Sequence, residues 1–435
     1  MNTVDDLLAQ AAARHGVPGA AVAVARGDEL VEAATGVVNR ETGVAATPGT
    51  VFQIGSVTKV WTAALVLQLV EDGLVDLDDP VRRHLPGFAL PDPAATDAVT
   101  VRHLLLHTGG FFGDLFEDTG RGDDALDRYL DFVAGHAEQF APPGEIYSYS
   151  NAGYSVLGAL VARLRGGTWE SVLRERLIDP LGARHMAALP EEAVLFRVAA
   201  GHLPSGEVAR PWAMARSQSP AGASLCAAPR DLVRFGRAFL TGDVLSKETV
   251  ERMTTPCLTL PGVPKRGHGR RGLGPEVYDW SGTTAFGHNG GTFGQGALWR
   301  VVPSHSLVVA ISANGGALSP FLDEVLDGVV DLTVPGRPTP PSGPFRPGPA
   351  EFAGRYEFPL AAYEVSVAPD GLEITAVPRG VVAEMGEQPS TRRFVALSGT
   401  TFVAVEPEEG VHETLTFLEG GRYLYGGRIA RRISS

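Results

Sequence analysis

Residues 60–70, VWTAALVLQLV, are apolar at nearly every position, so the pattern predicts a helix buried on all sides inside a domain. Gly55 and Ser56 stand at its mouth, and Gly73 ends it. Upstream, residues 4–14 carry a weaker helical period stopped by Gly16 and Pro18. GAAVAVARG (19–27) and ELVEAATGVVN (29–39) read as paired strands around a turn at Gly27-Asp28. Downstream, residues 99–110 predict a short helix halted by a glycine pair. Residues 142–164 predict a loop punctuated by proline and glycine, then a helix with a smooth apolar face. GTWESVLRERLIDPLG (167–182) reads as an amphipathic helix ending at Pro180, and residues 219–242 as a small-residue loop leading to a helix that starts near Pro229. AFGHNGGTFGQGALWRVVP (285–303) and HSLVVAISANGG (305–316) predict adjacent buried strands.

Past residue 333 the pattern changes. Residues 334–349 contain seven prolines and no apolar run, as expected of a semi-rigid linker. From 351 to 435 short alternating stretches recur at close spacing, with a Pro-Asp-Gly turn inside YEVSVAPDGLEITAV, which predicts a small antiparallel barrel. The expected organisation is a first domain over 1–333, a linker over 334–350 and a barrel over 351–435. A chain of 435 residues exceeds what one core usually organises, in keeping with that division.

Composition narrows the function less than the pattern does. At 44% hydrophobic and 20% charged residues the chain is ordinary for a globular protein. A net charge of −13 with no basic block argues against a nucleic-acid or anionic-membrane partner. The stretch MNTVDDLLAQAAARHGV lacks the basic and apolar regions of a secretory signal, no run reaches membrane-span length, and two cysteines make no disulfide framework. The expected setting is therefore the reducing cytoplasm, with Cys226 and Cys257 packed as small apolar residues.

Lysine usage singles out one position. Of 37 basic residues only Lys59, Lys247 and Lys265 are lysines. Arginine cannot give up its proton near neutral pH, whereas a lysine beside a hydroxyl at the start of an apolar helix can. Ser56 and Lys59 are three apart, one turn of helix, which is the Ser-x-x-Lys spacing of an acylatable serine. Alone, the pair also fits a helix cap and a snorkelling lysine. Tyr149 and Asn151, two apart on the loop before a helix, can face one side; Tyr149 can pass a proton and Asn151 can bond an amide, or they can simply pack and cap. His288-Asn289-Gly290-Gly291 opens a strand, and glycines there signal a close approach to the backbone, with substrate the candidate. His107 is expected to be structural, bonding loop carbonyls. The aromatic, acidic and Gly-rich segment 111–140 fits either a pocket wall or a surface excursion.

Taken in order, Ser56-Val57-Thr58-Lys59, Tyr149-Ser150-Asn151 and His288-Asn289-Gly290 resemble the three motifs of the penicillin-recognising serine hydrolases, and most of all the class C β-lactamase-like set. FQIGSVTK, LLLHTGG, PPGEIYSYSNAGY and FGHNGGTFG extend the resemblance over roughly residues 5 to 332. FAGRYEFP resembles the start of the lipocalin-like domain that follows the hydrolase domain in part of the family. The resemblance implies an α/β (α+β) β-lactamase/DD-peptidase-like fold: an antiparallel sheet flanked by helices plus an all-helical subdomain, then the barrel. It also implies Ser56 as nucleophile, Lys59 and Tyr149 as the proton-handling pair, and Asn151, His288, Gly290 and Gly291 facing substrate. The backbone N–H groups of Ser56 and Gly291 would form the oxyanion hole. No cofactor and no metal are implied.

One departure matters. Most β-lactamases and transpeptidases have Lys-Thr-Gly as the third motif, where a fixed charge helps hold a substrate carboxylate. Here a histidine stands in the lysine's place, so carboxylate binding is expected to be weaker and pH-dependent. The expected activity is thus a serine hydrolase acting on an ester, amide or peptide through acyl-Ser56. The first alternative is an acyltransferase or penicillin-binding-type thioesterase that releases or cyclises a peptide, with a peptidyl-carrier partner. The alternative from another class is a non-catalytic ligand sensor.

Overall fold

The computed structural model describes residues 3–342, 344–384 and 387–433; Gly343 of the expected linker and residues 1–2 and 434–435 of the expected outer segments lie outside the described residues. An eight-stranded sheet orders the first part of the chain. Its strands run, across the sheet, Glu29–Gly36, Gly19–Arg26, Leu307–Ala313, Gln295–Val302, Thr283–Thr292, Glu276–Trp280, His268–Arg271 and Leu258–Thr259, antiparallel throughout. The predicted hairpin around Gly27-Asp28 forms, and its first strand is buried along almost all of its length, which is why Ala and Val fill it. It pairs with Leu307–Ala313 in register Ala23↔Ala310, so segments nearly 300 positions apart meet in one sheet.

Helices cover both faces. Val4–Arg14 and Leu318–Val329 pack on one, burying Leu8, Phe321 and Val325 against Val22, Val309 and Ile311. On the other, Pro229–Thr241 leads into a larger helical region centred on Thr58–Glu71, which is buried without a break from Thr58 to Leu69. Trp61 stacks on Phe235 with centroids 3.7 Å apart, tying that helix to its neighbour. Each fully buried Leu or Val there contributes about 1.5–3 kcal/mol relative to exposure.

As expected, Ser56 stands at the mouth of the α-helix, in a 3-10 turn over Gly55–Val57 that feeds it. Three expectations change. The segment after Thr168 is a short α-turn, Trp169–Leu173, which widens into π geometry over Arg174–Ile178 instead of continuing as one α-helix. Ser150, not Asn151, caps the helix Asn151–Arg165, its Oγ accepting from Gly153 N at 3.0 Å. Cys226 is buried as expected, but Cys257 is exposed, where the chain enters the edge strand of the sheet.

From Gly354–Phe358 to Ile429–Ile433 eight antiparallel strands close into a barrel, the last pairing with the first as Arg355↔Ile433. Alternate side chains fill it, with Phe352 stacked on Phe417 and Phe394 and Phe402 beside them. Its final hairpin docks on residues 138–149. There Tyr423 and Ile429 join Phe112, Phe140 and Ile146 in one apolar cluster, Tyr423 Oη donates to Phe140 O, and Ile429 N donates to Ser148 Oγ.

Candidate active site

The helix Thr58–Glu71 begins one residue after the Gly55–Val57 turn, so Lys59 projects back under Ser56. Lys59 Nζ lies 3.1 Å from Ser56 Oγ, 2.7 Å from Asn151 Oδ1 and 2.6 Å from Ala221 O. The side chain is fully buried. Burial pushes its pKa well below the ordinary lysine value, and the charges of Arg428 and Arg271 push the same way against the opposing pull of Asp114.

Because Ser150 takes the cap, the Asn151 amide is free to bridge. Its Oδ1 faces Lys59 and its Nδ2 donates to Asp114 Oδ1 at 2.9 Å, which fixes the orientation of the amide. Tyr149 stands beside them with its ring centroid 4.8 Å from Lys59 Nζ. Its hydroxyl is buried and faces Ser56. Burial raises the pKa of that phenol, and only partly do Ser56, Arg271 and Arg428 draw it back.

The third motif lies against the Gly55–Val57 turn that holds Ser56. A Cβ on Gly290 would fall 1.9 Å from Ile54 O and 3.0 Å from Ser56 N, and one on Gly55, at φ +51°, 2.5 Å from Gly291 N. The close approach expected at these glycines is therefore made by the protein's own Gly55–Val57 turn, and only Gly admits it. A Cβ on Gly291 would meet nothing within 4 Å, so that backbone edge is open next to Ser56.

His288 departs from its expected behaviour. It is buried, its Nδ1–H donates to Asn289 O at 2.5 Å, and its Nε2 lies 3.9 Å from Glu276 Oε1. Burial lowers its pKa to about 3, so it is neutral across the ordinary pH range and adds no pH-dependent charge near pH 6.5. His107 is structural, but in a different way from that expected. Its Nδ1 accepts from Ser150 N at 3.0 Å, and its ring stacks on Tyr149 with centroids 4.5 Å apart.

Charge reaches the site from residues that no motif marked. Arg428, just before the last barrel strand, forms an ion pair with Asp114 and lies 5.2 Å from the Tyr149 ring centroid. Arg271 is wholly buried, 3.8 Å from Glu276 Oε1 and 5.9 Å from the Tyr149 centroid. Asp114 belongs to the segment 111–140 and joins it to the site through Asn151. Arg428 sits in GGRIARR, where nothing separates it from its arginine neighbours. Ser56, Tyr149 and His288 line a cavity of about 410 Å³ whose other walls include Lys265, Tyr425 and Arg428. Among the described residues no cluster of His, Cys, Asp or Glu could hold a metal ion.

The sequence matches the family described as Beta-lactamase over residues 4–329. The chain belongs to the β-lactamase family. It is 41% identical to a protein named Penicillin-binding protein 4 from Amycolatopsis lactamdurans, over 79% of this chain and 94% of that one. A second relative, Esterase EstB from Burkholderia gladioli, is 34% identical over 45% of this chain and 53% of its own length. Among solved structures, SurE superposes with a TM-score of 0.78 at 30% identity, covering 99% of this chain and 98% of that one; it has also been solved with D-Leu. The alignment spans the barrel as well as the catalytic region. Membership makes this chain a serine hydrolase of the β-lactamase family.

Proposed function

We propose that the chain forms an acyl-enzyme at Ser56 from an ester, amide or peptide, with Lys59 as the base. The observation that carries this is the fully buried Lys59 ammonium site 3.1 Å from Ser56 Oγ. Asn151 Oδ1 and Ala221 O can only accept, so a neutral amine gives them its two N–H groups and turns its lone pair to the Ser56 proton. Ser56 Oγ then bonds to the substrate carbonyl carbon, the carbonyl–leaving group bond breaks, and the leaving group departs with a proton delivered through Lys59 or Tyr149. The raised pKa of Tyr149 keeps it a phenol and favours Lys59 as base. The N–H groups of Ser56 and Gly291 receive the oxyanion, and spare donor and acceptor capacity on Asn151 contacts a substrate amide.

Water as acceptor makes an esterase or peptidase. The roomy cavity beside Ser56, shielded by the barrel, favours a second reading in which an amine takes the acyl group. SurE bound to D-Leu supports a D-configured residue in the substrate. A sensor reading fits less well, because a buried lysine with a depressed pKa beside a hydroxyl is the arrangement that acid–base work requires. Fluorophosphonate or fluorescent-penicillin labelling tests the proposal: one adduct by intact mass in the wild type and none in Ser56→Ala. An adduct persisting in Ser56→Ala would refute it, and efficient penicillin turnover would count against the ester or peptide reading.

A further inference from the structure

A smaller polar cavity, of about 190 Å³, lies behind the third-motif strand, and the proposed reaction leaves it unused. Strand alternation puts it there. His288 pairs with Trp299, which packs in the helical region around Thr58–Glu71, so the next residue, Asn289, turns to the face covered by Leu318–Val329. Arg300 lies on that same face, between Leu298 and Val302. The cavity shares Lys265, His268, Glu276 and Asn289 with the catalytic cavity and is closed on its far side by Leu326 and Val334.

Its walls carry four cations, Lys265, Arg266, Arg300 and Arg337, against two acids, Glu276 and Asp323. The acids are already engaged. Asp323 takes Arg337 at 2.6 Å and Arg266 at 3.4 Å, and Arg266 also pairs with Asp327 at 2.5 Å. Glu276 accepts from Tyr278 Oη and faces Arg271 at 3.8 Å. Arg300 and Lys265 are left, and neither has an ion pair among the described residues. Arg300 is buried and lies 4.0 Å from the Tyr278 ring centroid. Its two Nη groups donate to neutral oxygens, Trp299 O at 2.8 Å and Asn289 Oδ1 at 2.7 Å. Its Nε, and Trp280 Nε1 in the same wall, have no hydrogen-bond partner among the described residues. Burial lowers the pKa of Lys265; Glu413 opposes this and Arg337 adds to it. A cation buried without an acid is costly, and a bound anion offsets that cost.

We infer that this cavity is a binding site for a small oxyanion of the phosphate class, held between Arg300, Lys265 and the Trp280 N–H. The inference is independent of the acyl-Ser56 reading. The anion supplies the negative charge that Arg300 and Lys265 lack, and its oxygens accept from Arg300 Nε and Trp280 Nε1. Arg337, in the Pro-rich segment, adds its charge to the same cavity, so a bound anion fastens the start of that segment to the sheet. Because Arg300 also holds Asn289, the site is built onto the third motif from behind.

The test is isothermal titration calorimetry of the full chain with inorganic phosphate at constant ionic strength, where one saturable site per chain is expected. Binding should weaken by about tenfold or more in Arg300→Met and in Lys265→Met, the worth of one charge-assisted hydrogen bond. Arg428→Met, which changes a wall of the catalytic cavity alone, should leave it unchanged. If circular dichroism shows Arg300→Met to be unfolded, Lys265→Met and Arg428→Met together decide. No saturable site in the wild type overturns the inference, and so does binding that survives the Arg300 and Lys265 changes. Loss of binding in Arg428→Met overturns it too, because the anion then sits in the catalytic cavity.

Discussion

Lys59 meets three oxygens and is surrounded by positive charge, and this combination sets the pH behaviour to be expected of it. On the proposed assignment of Lys59 as base, its lowered pKa should bring the acidic limb of kcat/KM well below pH 10.5. Lys59→Met should lower kcat/KM about 10²–10⁴-fold, the usual range for a lost acid–base group, as measured by stopped-flow acylation. Burial acts on neighbouring histidines in the same direction. His288 is lowered to about 3 and His268 to about 4, so between pH 6.5 and about 4 the unfolded chain binds protons that the folded chain does not. Stability therefore falls as pH drops through that window, and the penalty is absent above it. Thermal melts at pH 7.5 and 5.0 should show the lower midpoint at pH 5.0, with a smaller difference in His288→Asn. Equal midpoints would mean that these rings are protonated in the folded state.

At the scale of elements, the site is a contact between a turn and a strand. The Gly55–Val57 turn holds Ser56 against Thr283–Thr292 so closely that a Cβ on Gly290 has no room beside Ile54 O. Gly290→Ala must push the turn and strand apart, and a shift of about 1 Å at a catalytic group costs on the order of 10² in rate. Slow acylation with near-normal circular dichroism is the expected result; normal acylation would show that the contact is not needed for the geometry. The glycines were visible in the sequence as a sign of close approach. What approaches them was not, because Ile54 and Gly290 are brought together only by the fold.

At the scale of the whole molecule, the barrel is joined to the chemistry through Arg428, Asp114 and Asn151, which ends on Lys59. Arg428→Met removes a charge that depresses Lys59 and leaves Asp114 unpaired beside it, and both changes raise the lysine pKa. The acidic limb of the rate profile should move to higher pH; an unmoved limb would show that the barrel does not tune Lys59. The sequence by itself determined the motif order, the buried helix, the hairpins and the alternating strands of the barrel, because these follow from local period and residue chemistry. It also carried the Ser56–Lys59 pairing, since three residues of helical chain set that distance. Only the tertiary structure decided that His288 is buried and neutral, that Asp114 orients Asn151, and that the site's charge comes from Arg271 and Arg428. Burial and electrostatic coupling depend on which distant segments pack together, and one arginine among several in a strand carries no mark of where it will point.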